Sequence, residues 1–191
     1  MESTKIVKPE DQSVTFVELF FDLVFVFSIT QVVGMLHTGF TWLAVGQAVL
    51  VFWLIWWAWT QFAWSLNMAD TAKPFVQLGV LTATGVAFFM AVGVPQAFAE
   101  RALWFAVPYV LVKMIGIALL YFVSLEDPAF RLGLRTWIIL SSGGLFAVLI
   151  GGFVGGTIQY WLWGLAILLD VYAGSAIVRE SCAVYSNTDK G

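Results

Sequence analysis

The sequence predicts an all-α fold, a polytopic membrane bundle of six transmembrane helices with both termini in the cytoplasm. Of the 191 residues, 61% are hydrophobic and 11% are charged, and the mean hydropathy is +0.90. Soluble domains carry about 25% charged residues. Six segments contain the roughly 20 apolar residues that a crossing needs. The lipid bilayer is therefore an expected partner, whereas a net charge of −3 without a basic cluster argues against nucleic acid.

The first span, 14–36, is apolar but carries two carboxylates, Glu18 and Asp22. It follows a polar N-terminal tail, 1–13, and is too long and too acidic for a cleaved signal, so we expect it in the mature protein. An ionised group in hydrocarbon costs at least roughly 2.5–3.5 kcal/mol. Because the two acids lie one turn apart on one helix face, we expect that face to be shielded from lipid.

Turn and charge signals separate the other spans, and a short cytoplasmic tail, 180–191, follows the last one. The Lys73-Pro74 and Asp127-Pro128 pairs are suitable breaks because proline disfavours helical geometry in the residue before it. Pro108 is expected to kink the fourth span. The remaining members of the six-span domain, 14–179, are 41–64, 74–95, 102–123, 133–154 and 158–179.

Glycines cluster in and after the fifth span, and we interpret them as close helix packing. A helix broken at Gly143-Gly144 to form a ligand site is the alternative, known from transporters.

Basic residues are distributed unequally between the two ends of the predicted bundle. On the opposite side from the N-terminus only Arg101 is found. The positive-inside rule therefore places both termini in the cytoplasm, which requires an even number of spans. The basic residues of the N-terminal side are Lys5, Lys8, Lys73, Arg131, Arg135, Arg179 and Lys190.

Three ionisable residues fall in one layer of the predicted hydrocarbon zone. At 1.5 Å per residue, Asp22, Lys113 and Asp170 lie roughly 12, 15 and 14 Å from the cytoplasmic ends of their spans. A lysine cation between the two acids lowers the cost of burying all three. Glu18 lies about 6 Å nearer the cytoplasm. The excess of acid favours a proton or cation role, and the alternative is an ion-pair network that fixes helix register.

The second span carries a stripe of tryptophans. Trp53, Trp56 and Trp57 lie mid-span, where an interfacial role does not apply. We consider two interpretations: the rings fill space or face lipid, or they form an aromatic wall around a cavity for a cation, lipid chain or flat cofactor. Asn67 and Asp70, at the cytoplasmic end of this span, are candidates for a polar vestibule beneath Glu18.

Sequence motifs of catalysis are not found. No Ser/His/Asp set, metal-ligand spacing, glycine-rich phosphate loop or cysteine pair is present, and Cys182 is the single cysteine. We therefore expect no enzyme, no catalytic residue and no metal site, whereas the sequence leaves the question of a cofactor open.

Motifs along nearly the whole chain resemble those of the bacterial low temperature requirement A (LtrA) membrane family. They are VELFFDLVFVFSITQ at 17–31, WWAW at 56–59, N-x-x-D at 67–70, FMAVGVP at 89–95, YVLVK at 109–113 and LWGLAILLD at 162–170. The resemblance implies a polytopic inner-membrane protein linked by name to growth in the cold. Members of the family are usually about twice as long as this chain, so the resemblance implies either a short member or the N-terminal half of a longer protein. A missing second half and a homo-oligomer are the candidate protein partners.

A weaker resemblance joins Phe20-Phe21-Asp22 to the Phe-Ser-Asp motif of six-span potassium channels. Three functional hypotheses follow. The first is movement of a proton, cation or small polar ligand through Glu18, Asp22, Lys113 and Asp170. The second is an oligomeric six-span cation channel. The third is a non-transporting module that binds lipid or a partner subunit.

Overall fold

The computed structural model describes residues 15–37, 40–71, 73–124 and 128–188, with side chains outside 123–133 and 176–188. The predicted tail 1–13 lies outside these residues. The described chain forms six α-helices, which confirms the predicted all-α fold, and a 3₁₀-helix, Val94–Gln96. The helices are α1 (Phe16–His37), α2 (Trp42–Met68), α3 (Pro74–Gly93), α4 (Leu103–Ser124), α5 (Pro128–Val154) and α6 (Gly156–Thr188).

Local sequence signals mark the helix ends. Thr41 caps α2, where its hydroxyl accepts a hydrogen bond from the Ala44 amide at 3.1 Å. Pro74 occupies the first turn of α3, a position that needs no amide donor. Gly155 and Gly156 separate α5 from α6 with φ angles of 68° and 61°. This left-handed conformation favours glycine and turns the chain back on itself.

Five helices are long and apolar enough to cross a membrane, namely α1 to α5. Within the described residues, α6 falls short of this measure, since it carries Gln159 and Asp170. It nevertheless runs antiparallel along α5: the Trp163 indole donates to the Val148 carbonyl at 3.1 Å, and the Ser141 hydroxyl donates to Asp170 at 3.2 Å. The predicted membrane helix bundle is confirmed. The cytoplasmic position of the termini stays a prediction.

The helix α4 is central in the bundle and packs against α2, α3 and α5. Its neighbour α3 also packs on α1, and α5 shares its most extensive interface with α6. The helix continues through Pro108. Proline leaves the carbonyl four residues earlier without its helical donor, and here that carbonyl, of Trp104, lies against Gly93 at the end of α3.

The glycines of α5 are packing positions, as predicted. The helix is continuous through Gly143 and Gly144, so the broken-helix alternative is wrong. A Cβ on Gly144 would lie 3.4 Å from the Ala166 carbonyl oxygen, and one on Gly151 would lie 2.7 Å from the Trp163 ring. Small residues thus allow α5 and α6 to approach closely.

Candidate functional site

A buried ion pair joins α4 to α6 in the interior of the bundle. The Lys113 ammonium nitrogen Nζ lies 2.6 Å from Asp170 Oδ2, and the two side chains are only 1% and 3% exposed. Lys113 lies near the middle of α4, in a helix whose flanking residues are almost all apolar. Such a pair is stable in this setting only because each charge compensates the other at hydrogen-bond distance.

Polar neighbours from α5 and α2 complete this site. The buried Ser141 hydroxyl donates to the second Asp170 oxygen, Oδ1, at 3.2 Å. The Gln61 side-chain amide donates to the Lys113 backbone carbonyl at 3.3 Å. The Tyr109 ring, one turn before Lys113, has its centroid 5.9 Å from Nζ, within the range of a cation–π contact. We call Lys113, Asp170, Ser141 and Gln61 the buried polar site.

Three buried polar atoms near this site have no hydrogen-bond partner among the described residues. They are Gln61 Oε1, Trp57 Nε1 and Trp137 Nε1. Gln61 belongs to the site, and Trp137 lies one turn before Ser141 on α5. Trp57 lies one turn before Gln61, with its ring 3.4 Å from where a Gly174 Cβ would be. Buried polar atoms of this kind are usually satisfied by ordered water.

Asp22 does not join the buried polar site, so the predicted layer of three charges is corrected to a pair. Asp22 is exposed on α1, and the indole Nε1 of Trp59 on α2 donates to its carboxylate at 2.8 Å. The two residues line a groove of about 270 Å³ together with Phe25, Ile55 and Trp56, among others. The physical reason is helix rotation: Phe21 and Phe25 turn into the core, which carries Asp22 outward.

Glu18 has a local structural role in the first turn of α1. Its carboxylate oxygen Oε1 accepts hydrogen bonds from the Thr15 amide at 3.4 Å and from the Thr15 hydroxyl at 3.0 Å, and its own amide donates to the Thr15 hydroxyl oxygen at 3.4 Å. This is the reciprocal arrangement of a capping box. The sequence signal of a capping box is present as Thr15-x-x-Glu18 before an apolar run. An interpretation that considers only the charge of Glu18 overlooks this signal.

The other predicted site residues are spread over the end and the outside of α2. Asn67 is exposed in the last turn and Asp70 follows the helix, so the vestibule beneath Glu18 stays a prediction. Trp53 and Trp56 are 39% and 44% exposed on the outer surface, whereas Trp57 packs toward Gly174 of α6. The three rings therefore do not share an internal cavity, and the aromatic wall is corrected to lipid-facing and packing roles. Of these three tryptophans, only Trp56 lines the groove beside Asp22.

Ser141, Gln61 and Trp59 were missed by the sequence-based prediction. Ser141 and Gln61 are polar residues inside predicted spans, which is a signal in itself because buried polar side chains require partners. Among the described residues, no group of three His, Cys, Asp or Glu side chains is placed to hold a metal ion.

A protein family and a curated protein both match most of this chain. The family described as Bacterial low temperature requirement A protein (LtrA) matches residues 13–188. An uncharacterized protein of Rhizobium meliloti (strain 1021) is 32% identical over 169 aligned positions, covering 78% of this chain and 41% of that protein. The chain therefore spans less than half the length of this curated relative. No solved structure matches the chain.

Proposed function

Since this chain belongs to the bacterial low temperature requirement A (LtrA) family of integral membrane proteins, we propose that it moves protons across the inner membrane through the buried polar site. The observation that carries the proposal is the 2.6 Å ion pair between Lys113 and Asp170, shielded from solvent in the bundle interior. An ionisable residue inside a membrane domain is by default a functional-site hypothesis, because its burial is costly.

The geometry favours a proton over a metal cation. The Lys113 ammonium already occupies the position beside Asp170 Oδ2 that a bound cation would take. A competing metal ion would have to displace a buried amine, whereas a proton is transferred along the existing hydrogen bond. The channel and small-ligand alternatives find no comparable support and stay predictions.

Two atoms, Lys113 Nζ and Asp170 Oδ2, carry the proton in the proposed cycle. Transfer of one proton from Nζ to Oδ2 converts the charged pair into a neutral amine and a neutral carboxylic acid. The acid then releases its proton to water on one side, and the amine accepts a proton from water on the other side. Each cycle restores the ion pair and moves one proton. The unpartnered atoms of Gln61, Trp57 and Trp137 are candidate positions for that water.

Proteoliposomes containing a pH-sensitive dye test the proposal. A potassium diffusion potential, negative inside, is imposed, and internal pH is followed. The proteins compared are the wild type, a variant without either charge (Lys113→Met with Asp170→Leu) and Asp22→Asn. The wild type is expected to acidify the lumen, the double variant to match protein-free vesicles, and Asp22→Asn to retain wild-type flux.

The double variant removes both charges together because a lone buried charge would destabilise the bundle. Circular dichroism of the reconstituted protein verifies that it remains folded. A folded double variant with wild-type proton flux would contradict the proposal, as would a wild type that does not exceed protein-free vesicles.

Asp22 supports a second candidate function, attachment of a further membrane segment to the α1–α2 face. Asp22 is exposed and lies about 9 Å along α1 from Phe16, the first residue of that helix. No cation pairs with its carboxylate within the described residues. Such a group facing lipid is costly unless another polypeptide covers it. The greater length of the curated relative leaves room for such a partner. Disulfide cross-linking in a Cys182→Ser background tests whether that segment belongs to a second copy of the chain. In that case Val26→Cys, at the groove, should form a cross-linked dimer, and the control Leu168→Cys on α6 should not.

A further inference from the structure

The strongest unassigned feature of the bundle is a groove between α4 and α5. It has a volume of about 860 Å³, in the range of small-molecule sites. Its walls are apolar over most of their length, formed by side chains such as Met114, Ile138 and Phe146. Met114 and Phe146 are 54% and 66% exposed, so the groove opens on the outside of the bundle, where lipid lies.

One end of the groove is basic. Arg135, about two turns into α5, lines it beside Tyr121 from the last turns of α4. Arg135 is exposed, and it forms no ion pair with another residue that the structure describes. A cation at one end of an apolar groove is complementary to an amphiphile with a negative head and a hydrocarbon tail.

The groove is long enough to span the hydrocarbon part of one membrane leaflet. It extends from Arg135 to Leu149 along α5, which corresponds to roughly 20 Å of helix. The hydrocarbon core of a bilayer is about 30 Å thick, so one leaflet contributes roughly half of that. Arg135 is the second residue of the apolar span Leu134–Val154 of α5, so it is placed near the membrane face, where a lipid headgroup is found.

The geometry points to a binding site for an anionic phospholipid, with an acyl chain in the α4–α5 groove and the headgroup phosphate on Arg135. Basic pockets between transmembrane helices bind anionic headgroups in the same way. The site is separate from the buried polar site, so it does not depend on proton movement.

Native mass spectrometry of the delipidated full chain tests this site. The protein is titrated with dioleoyl phosphatidylglycerol and with zwitterionic dioleoyl phosphatidylethanolamine. The wild type is expected to bind one phosphatidylglycerol more tightly than phosphatidylethanolamine. Arg135→Gln should weaken phosphatidylglycerol binding about fivefold, as expected for one interfacial basic residue, and should leave phosphatidylethanolamine binding unchanged.

Two matched controls separate this site from general lipid adhesion. Arg101→Gln removes a basic residue from the turn before α4, at the opposite end of the bundle, and should leave binding unchanged. Ala118→Trp fills the groove and should abolish the bound lipid, whereas Leu168→Trp, at an exposed position on α6 outside the groove, should not.

Equal affinity for the two lipids would overturn the proposal, and so would an Arg135→Gln variant that behaves like Arg101→Gln. A dimer in the wild type that Ala118→Trp converts to monomer, without loss of bound lipid, would identify a second copy of the chain as the occupant instead. Arg135→Gln changes an exposed side chain, so it tests the site even if Ala118→Trp does not fold.

Discussion

Four charged side chains of α1, α4 and α6 have partners of different kinds. Lys113 pairs with Asp170 at 2.6 Å, Glu18 accepts from Thr15, and Asp22 accepts from the Trp59 indole. Glu18 and Asp22 thus accept hydrogen bonds from neutral donors, whereas Asp170 pairs with the buried Lys113 ammonium. Among these four groups, only Lys113 and Asp170 form a pair of opposite charges.

Asp170→Asn is expected to lower the free energy of unfolding by about 3–5 kcal/mol, because it leaves the Lys113 ammonium buried without an anion. Replacing both residues, as Lys113→Met with Asp170→Leu, should recover most of this loss, since two charges are then removed from the interior. Unfolding in mixed detergent micelles, followed by circular dichroism, measures both. A double variant as unstable as Asp170→Asn would show that the residues do not act as a pair.

Glu18→Gln is expected to leave stability nearly unchanged, because glutamine also completes a capping box. Glu18→Ala should cost about 1 kcal/mol through loss of the cap. Thermal unfolding of the two variants in the same detergent makes the comparison. If Glu18→Gln is as destabilised as Glu18→Ala, the charge itself is needed and the capping role is insufficient.

The level of a residue along the bundle axis was predictable from the sequence, whereas helix rotation was not. A constant rise of 1.5 Å per residue placed Lys113 and Asp170 in one layer, and the structure brings them into contact. Asp22 has a similar depth but faces outward. The helix α1 is apolar on all sides, so no amphipathic stripe orients it. Its rotation depends on packing, such as the Phe21–Phe62 stacking at 4.3 Å between ring centroids.

Pairs of helices in this bundle are held by close backbone approach. At the α5–α6 interface, Gly151 faces the fully buried ring of Trp163, which is itself in contact with Phe98 and Phe105. At the α3–α4 interface, Gly93 lies against the Trp104 carbonyl, and a Cβ there would be 2.8 Å from the Phe105 amide nitrogen. Glycine in these helices is therefore a packing residue, as the sequence indicated for α5.

Gly151→Ala is expected to destabilise the bundle by about 1–3 kcal/mol, because the added methyl group meets a tryptophan ring that has no space to move. Gly34→Ala on α1 is the matched control, since nothing lies within 4 Å of its Cβ position. Helix propensity should make that control neutral or stabilising by up to about 1 kcal/mol. Thermal unfolding in detergent measures the difference. Equal stability of the two variants would contradict close packing at Gly151.

The whole molecule is a bundle of alternating helices in which α1, α3 and α5 begin at one end and α2, α4 and α6 end there. Contacts at several depths show this alternation: Gln47 on α2 donates to Tyr160 on α6 at 2.7 Å, and Phe75 on α3 meets Phe122 on α4 at 5.7 Å between ring centroids. If α6 crosses with α5, residues 73 and 182 lie on one side of the membrane and residue 101 lies on the other.

Labelling of single cysteines in intact cells is expected to reveal this arrangement. Cys182 is the single cysteine of the chain, so Lys73→Cys and Arg101→Cys are made in a Cys182→Ser background. A membrane-impermeant maleimide should label position 101 in intact cells, and positions 73 and 182 only after permeabilisation, because seven of the eight lysines and arginines other than Lys113 are predicted to lie on the side of the N-terminus. Labelling of position 182 together with position 101 would show that α6 does not cross. Labelling of positions 73 and 182 without position 101 would preserve the six crossings but reverse their orientation.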